Sequence, residues 1–341
     1  MWGKYILVNK ANNIIELLDN FPINQTIGDN LIRAWSKINS PKYKKIVCSI
    51  SGGSDSDIML DIVWRCDKDN KVDYVWFDTG LEYQATKEHL KYLENKYNID
   101  IIPYKAIKPI PLSCKKYGQP FLSKQASEYI GRLQKHNFKW EDKPFEELYE
   151  EYPKCKAALL WWCNKRENNS FNICRNKWLK EFLIENPPTF PISNVCCKYA
   201  KKDVSHKLIN EFQYDLNIIG VRKAEGGVRA TSYKTCFDEN GDGYDNYRPL
   251  FWYKNSDKEH YKTAYCIEYS KCYTEYGLKR TGCAGCPFGR DFEEELKVIE
   301  KYEPKLFKAV NNIFADSYEY TRKYREFYKK KNDELKSKKS R

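Results

Sequence analysis

The sequence predicts an α/β protein built on a doubly wound parallel sheet. Two observations carry that prediction. Three short β-branched runs, KIVCSI (45–50), VDYVWFD (72–78) and IDIIPYK (99–105), recur at regular spacing. Between them lie segments of helical period, Asp55–Cys66 and Ala85–Tyr97, the second with Leu90 and Leu93 on one side. Strand, helix, strand, helix, strand at this spacing indicates βαβ units and a sheet covered on both faces.

The flanking segments follow in chain order. Residues 1–44 read as a helical N-terminal segment, with Ile14, Leu17 and Leu18, then Leu31, Ile32 and Trp35, at helical spacing. Residues 45–290 form the core domain, interrupted by an insertion over 137–190. A helix is expected over Ser123–Lys135. The stretch after it holds Trp140, Trp161, Trp162 and Trp178, closes at Pro187-Pro188, and reads as a helical insertion over the sheet. A helix over Cys197–Phe212 leads into a further strand, DLNIIGV (Asp215–Val221). Residues 236–253 read as a hairpin, Lys258–Tyr276 as a helix, and Phe292–Lys330 as one or two charged helices. Residues 291–341 are therefore a helical C-terminal extension whose basic tail, KKKNDELKSKKSR, reads as frayed and solvated. One decoy is set aside. DENGDGYDNYRP (Asp238–Pro249) has calcium-loop residues at its first, third, fifth and sixth positions, but Pro249 stands where a bidentate Glu belongs, so it reads as a hairpin turn.

A chain of 341 residues buries an ample core without disulfide or metal staples. Its 31% charged and 41% hydrophobic residues exclude a disordered tail and a lipid-embedded class. The net charge of +12 favours anionic partners such as nucleotides or nucleic acid. The 27 tyrosines read chiefly as core and half-buried surface. MWGKYILVNK lacks the features of a secretory leader, and the longest apolar stretch, Ala157–Cys163, is far short of a membrane span. A cytoplasmic protein with no membrane partner is expected. Thirteen cysteines, an odd number, then read as ligands, reactive thiols or small hydrophobes, not as a disulfide framework.

The first chemistry-bearing residues follow the first strand directly, in SGGSDS (Ser51–Ser56). Adjacent glycines let the backbone turn sharply and approach a ligand closely. The helix that follows points free N–H groups and the positive end of its dipole into the turn. Ser51, Ser54 and Ser56 add hydroxyl donors. A lone Gly-Gly would read as an ordinary capped turn; the whole hexapeptide between a strand and an amphipathic helix reads as a phosphate site.

SGGSDS is neither GxxxxGK[ST] nor GxGxxG. It closely resembles the SGGxDS loop of the PP-loop ATP pyrophosphatases, a superfamily that includes the phosphoadenylylsulfate (PAPS) reductase family. The resemblance implies the adenine nucleotide alpha-hydrolase-like PP-loop fold. It assigns Ser51, Gly52, Gly53, Ser54, Asp55 and Ser56 to nucleotide binding, and Asp55 and Asp78 to catalysis. WFDTG (Trp76–Gly80) matches the family's DTG element, so Asp78 and Thr79 are expected beside the nucleotide. IIGVRKAEGGVRA (Ile218–Ala230) resembles its GxRxxES…R element, with Arg222, Glu225 and Arg229 in register and Gly226 where Ser is usual. Arg222 and Arg229 are implied to bind phosphate or sulfate oxygens. The resemblance spans roughly residues 43–290, with gaps over the insertion.

Cys196-Cys197 and the CxxC of Cys283 and Cys286, in TGCAGCPFG, form a recognisable set. On residue type alone such thiolates suit zinc, an iron–sulfur cluster or redox exchange. Their arrangement resembles the iron–sulfur members of the family, notably the adenylylsulfate (APS) reductases, which implies one [4Fe–4S] cluster on these four. The remaining nine cysteines, including Cys155, Cys163 and Cys174, read as small hydrophobes or incidental.

Two enzyme readings share this scaffold. In the first, ATP with Mg²⁺ is attacked at its α-phosphate, pyrophosphate leaves, and an acceptor is adenylated ahead of sulfur transfer. In the second, APS or PAPS is reduced with release of sulfite. The SGG form of the loop and the absence of any cysteine after Cys286 favour the first. The iron–sulfur members that use ATP include the DNA phosphorothioation sulfurtransferases, so a nucleic-acid acceptor (DNA or tRNA) and a cysteine-desulfurase-type sulfur donor are the partners implied. A third reading is a non-catalytic nucleotide-binding component of a nucleic-acid-associated complex.

Overall fold

The computed structural model describes residues 10–19, 24–226, 232–239 and 243–339. They group into two packed units. The first takes the chain up to Ile107 together with Ala200–Cys283; the second takes Lys108–Tyr199 together with the chain from Ala284 onward.

The first unit is the expected α/β layer structure. Its strands are β1 (Ile46–Ile50), β2 (Val72–Asp78), β3 (Ile101–Lys105), β4 (Leu216–Ile219), β5 (Phe237–Asp238) and β6 (Asp245–Tyr247). They form one six-stranded sheet in the order β3-β2-β1-β4-β6-β5. Every pairing is parallel except the short β5–β6 hairpin. Helices α1 (Ile14–Asp19) and α2 (Gln25–Ile38) precede the sheet, and α3 (Ser54–Cys66) and α4 (Gln84–Tyr97) are the crossovers.

Alternation along β1 shows why the strands read as continuous apolar runs. Ile46, Cys48 and Ile50 pack with Leu31 of α2, Ile58 and Ile62 of α3, and Leu90 and Leu93 of α4. Val47 points to the opposite face, among Val75, Leu208 and Ile209. A strand buried on both faces needs hydrophobes at every position. The inner surface of α3 is sealed by hydrogen bonds to Asp61, from Arg65 Nε at 2.7 Å, Tyr97 at 2.9 Å and Tyr261 at 2.7 Å. Strand order reverses about β1: β2 and β3 follow on one side, and β4 lies on the other. The carboxyl ends of β1 and β4 are thus the switch point where open α/β sheets bind ligands.

Two expected helices differ from the sequence reading: Cys197–Phe212 begins with a π-helical turn at Lys198–Lys202 before the α-helix Asp203–Phe212. The expected helix Lys258–Tyr276 is two, Asn255–Ala264 and Lys271–Thr274. Cys266 adopts a left-handed φ of +50°, which ends the first, and the Ser270 hydroxyl accepts the Cys272 N–H to start the second.

The second unit is helical. Helices Lys124–Lys135, Phe145–Glu151, Lys156–Trp162, Leu179–Glu185 and Pro304–Lys339 enclose a core in which Trp161 and Trp162 are fully buried. Tyr320 and Tyr324 of the last helix pack on Phe121 and Phe182. The segments read as insertion and extension therefore share one core, because each supplies the apolar stripe the other buries. The tail is corrected: Lys329–Lys339 continues the last helix where fraying was expected. Its Lys, Glu and Leu are good helix formers, with no Gly or Pro to interrupt them. Among the described residues no helix is long and apolar enough to cross a membrane.

Candidate functional site

The turn from β1 into α3 carries the hexapeptide. Gly52 sits at φ +64°, and a Cβ there would stand 2.9 Å from Thr86 Cγ2, so a glycine is required on both grounds. A Cβ on Gly53 would stand 3.1 Å from Thr281 Oγ1 and 3.3 Å from both Ser51 Oγ and the Tyr273 hydroxyl. The glycine keeps this ring of hydroxyls open. Ser51 N–H donates to Ser56 Oγ at 2.8 Å, tying the turn to the first turn of α3. The N–H groups of Ser54 and Thr281 both donate to the Tyr273 hydroxyl, each at 3.2 Å. Tyr273 and Thr281 carried no legible signal in the sequence; the fold of the 265–283 segment brings them to the loop.

Asp55, in the first turn of α3, is the centre of an ion-pair group. Its Oδ2 accepts Arg222 Nε at 2.7 Å, and its Oδ1 lies 2.8 Å from Lys258 Nζ. Lys258 also donates to Ser54 Oγ at 2.5 Å, and Arg222 donates to Asn255 Oδ1 at 3.0 Å. Glu225, itself exposed, hydrogen-bonds the same carboxyl. Burial works to raise the Asp55 carboxyl, but the Arg222 and Lys258 hydrogen bonds override it and hold it below the ordinary value. The group converges because Arg222 follows β4 directly while Asp55 follows β1, its sheet neighbour. Arg229 lies outside the described residues.

At the end of β2, Asp78 accepts the Gly80 N–H at 2.9 Å. The buried Thr79 donates its N–H to Glu82 Oε1 at 2.8 Å and its hydroxyl to the same oxygen. Glu82 also hydrogen-bonds Asp78, and burial foremost raises its carboxyl above the ordinary value. Glu82 was missed; four residues past Asp78, it was the one other acidic side chain close to DTG. Thr79 Oγ1 lies 3.7 Å from Cys283 Sγ.

The thiols divide between the units. Cys283 closes the first, beside Thr79, whereas Cys196, Cys197 and Cys286 belong to the second. There Cys196 is buried, hydrogen-bonds Cys114 and Cys197, and lies within charge-interaction range of Cys286. The bond to Cys114 pushes the Cys196 thiol up, the bond to Cys197 opposes it, and burial adds to the rise. Cys114, read from sequence as a small hydrophobe, thus joins the thiol group through the packing of helix Ile110–Tyr117 against Val195–Cys197. The turn before Cys286 is fixed by the Gly285 N–H donating to Glu295 at 3.0 Å and by Tyr318 donating to the Gly285 carbonyl. Among the described residues no three Cys, His, Asp or Glu side chains are placed to hold a metal ion between them. As donors, neighbouring thiols that are in part solvent-accessible fit an iron–sulfur group.

A glycine loop at the switch point of a doubly wound sheet, ringed by hydroxyls and cations, is the layout in which α/β domains hold phosphate-bearing ligands. Residues 45–137 match the model of the phosphoadenosine phosphosulfate reductase domain. The chain is 26% identical over 311 residues to the uncharacterized protein MJ0066 of Methanocaldococcus jannaschii, a match covering 91% of this chain and 48% of that one. It therefore spans about half the length of this curated relative. Among solved structures it is similar to the phosphoadenylyl-sulfate (PAPS) reductase of Candida auris in a phosphate complex. That match has a TM-score of 0.40 and 13% identity, over 81% of this chain and 98% of the other. It is also similar to the U34-tRNA thiolase NcsA of Methanococcus maripaludis with its [4Fe-4S] cluster. Here the TM-score is 0.35 and the identity 14%, over 87% of this chain and 78% of the other.

Proposed function

We propose that the protein binds ATP at the SGGSDS loop and performs α-phosphate chemistry, releasing pyrophosphate and adenylating an acceptor ahead of sulfur transfer. The observation that carries this reading is the loop itself, a tight glycine turn between β1 and α3 with Arg222 and Lys258 at its rim. The backbone and hydroxyl donors hold the phosphates in place. The guanidinium and ammonium offset charge that builds on the departing pyrophosphate, a load that Mg²⁺ would share when bound with the nucleotide. Catalysis here is positioning and electrostatics, with Asp55 orienting the two cations and Asp78 set at the next strand end.

Cys196, Cys197 and Cys286 are the residues of the second unit that would hold a [4Fe–4S] cluster. When bound, the cluster supplies redox chemistry or a sulfur-carrying iron site. The reading extends to a cytoplasmic protein whose acceptor is a nucleic acid, DNA or tRNA, drawn by the +12 charge through counterion release, and whose sulfur comes from a cysteine-desulfurase-type donor. A second reading, reduction of APS or PAPS, is favoured by Cys283, a thiol 3.7 Å from Thr79 in the DTG element.

Calorimetric binding of ATP, APS and PAPS to anaerobically purified protein decides between them. Tight, Mg²⁺-dependent ATP binding that weakens in Gly53→Val supports adenylation. Preference for APS or PAPS, with sulfite release abolished in Cys283→Ser, supports the second reading.

A further inference from the structure

We propose that Lys258 is a phosphate-binding residue of this site, doing from a distant helix what a lysine inside the loop does in other phosphate-binding loops. The inference rests on the reading of SGGSDS as a phosphate site and deepens it.

Lys258 stands on helix Asn255–Ala264, some two hundred positions after the loop in the chain, in a segment with no phosphate-binding motif of its own. Its side chain is only 13% exposed, and its ammonium is fixed at two points of the loop, Ser54 Oγ at 2.5 Å and Asp55 Oδ1 at 2.8 Å. An ammonium has three N–H donors; its hydrogen bonds use two, leaving one for a ligand oxygen beside the Tyr269 ring, whose centre is 5.4 Å away. Neutralising Asp55 does not account for the lysine. Arg222, 7% exposed, already pairs with that carboxyl at 2.7 Å. Glu225 reaches the same carboxyl from the exposed side, and the next buried carboxyl, Asp57, is held by His89 at 2.9 Å. The buried Arg222 and the half-buried Lys258 thus converge on the half-buried Asp55 at the loop mouth, and cations drawn together out of water are retained where a counter-charge completes them. A di- or triphosphate seated in the loop is that counter-charge. Ser54, held by the lysine, then presents its hydroxyl from the same corner.

The test is calorimetric titration of the full chain with Mg·ATP and, separately, with inorganic pyrophosphate, for wild type, K258M, K258R, G53V and the double variant D55N/K258M. Thermal melting confirms that each is folded. The expected result is that K258M weakens both ligands about tenfold to a hundredfold, the value of a charge-assisted hydrogen bond, while K258R restores part of the loss. D55N/K258M stays weak, because the phosphate still lacks its cation. Wild-type affinity in K258M, with G53V impaired, overturns the assignment of Lys258 and leaves the loop reading standing. Recovery of wild-type affinity in D55N/K258M shows that the lysine only balanced Asp55, and also overturns it. If wild type binds neither ATP nor pyrophosphate, the phosphate-site reading itself fails and takes this assignment with it.

Discussion

Arg222 Nε and Asp55 Oδ2 meet at 2.7 Å across the carboxyl ends of two neighbouring strands. Residues 167 positions apart thereby become one unit: the carboxylate holds the guanidinium at the loop, and the guanidinium keeps the carboxylate ionised.

Removing that carboxylate strands the buried Arg222 and the half-buried Lys258. Asp55→Asn is expected to cost about 3 kcal/mol near neutral pH, as breaking a buried ion pair does. The carboxyl is held below its ordinary 3.8 in the folded state, so its contribution is present above that pH and is lost as pH falls through the folded value. Urea unfolding at a series of pH values will show the gap between wild type and D55N closing in acid. Equal stability at pH 7 contradicts the pairing.

Glu82 has the opposite sign. Burial raises its carboxyl above the ordinary 4.5, so its favourable contribution is present below that pH and is lost as pH rises through the folded value. Glu82→Gln keeps an acceptor for the Thr79 N–H while removing the buried charge. E82Q is expected to gain on wild type in melting temperature as the buffer moves from pH 4 to pH 7; a loss over that range refutes the reading.

Gly52 is constrained by backbone and by space. Gly52→Ala is expected to cost about 1–3 kcal/mol through its left-handed backbone and its approach to Thr86 Cγ2. Adding Thr86→Ser deletes that methyl and is expected to recover the steric part alone. Chemical denaturation of both variants measures the split; no recovery in the double variant places the whole cost in the backbone.

Cys114 provides the test of the thiol group. After anaerobic reconstitution with iron and sulfide, C114A is expected to retain iron roughly tenfold less tightly than wild type, the size of a supporting-residue effect on a metal site. C272A, a buried thiol of the first unit beside Thr86, is expected to be silent. Iron per chain and the visible absorption band are the readouts, and equal iron in C114A and wild type removes Cys114 from the site.

Much of this was legible in the chain because it is local. The run Val72–Asp78 emerges as β2 at both its bounds, and the hexapeptide sits at the turn where a phosphate loop belongs. Period-2 and period-3.6 patterns and glycine placement report on a few neighbouring residues, and so do strands, crossover helices and their turns. Arg222 was also readable, since it follows a strand within a recognisable element.

Lys258, Tyr273, Thr281 and Cys114 were not. Each reaches its partners only through packing of segments far apart in sequence: Lys258 and Tyr273 are 204 and 219 positions from Ser54. The pairing of the aromatic insertion with the last helix is of the same kind. Nothing in Trp161 and Trp162, or in Tyr320 and Tyr324, announces that they belong to one core. The sequence by itself determined the fold class, the loop and the thiol inventory, because these are properties of short windows. Tertiary structure alone decided which cations serve the loop and which thiol joins Cys196, because burial and charge pairing act on whatever the folded chain brings together.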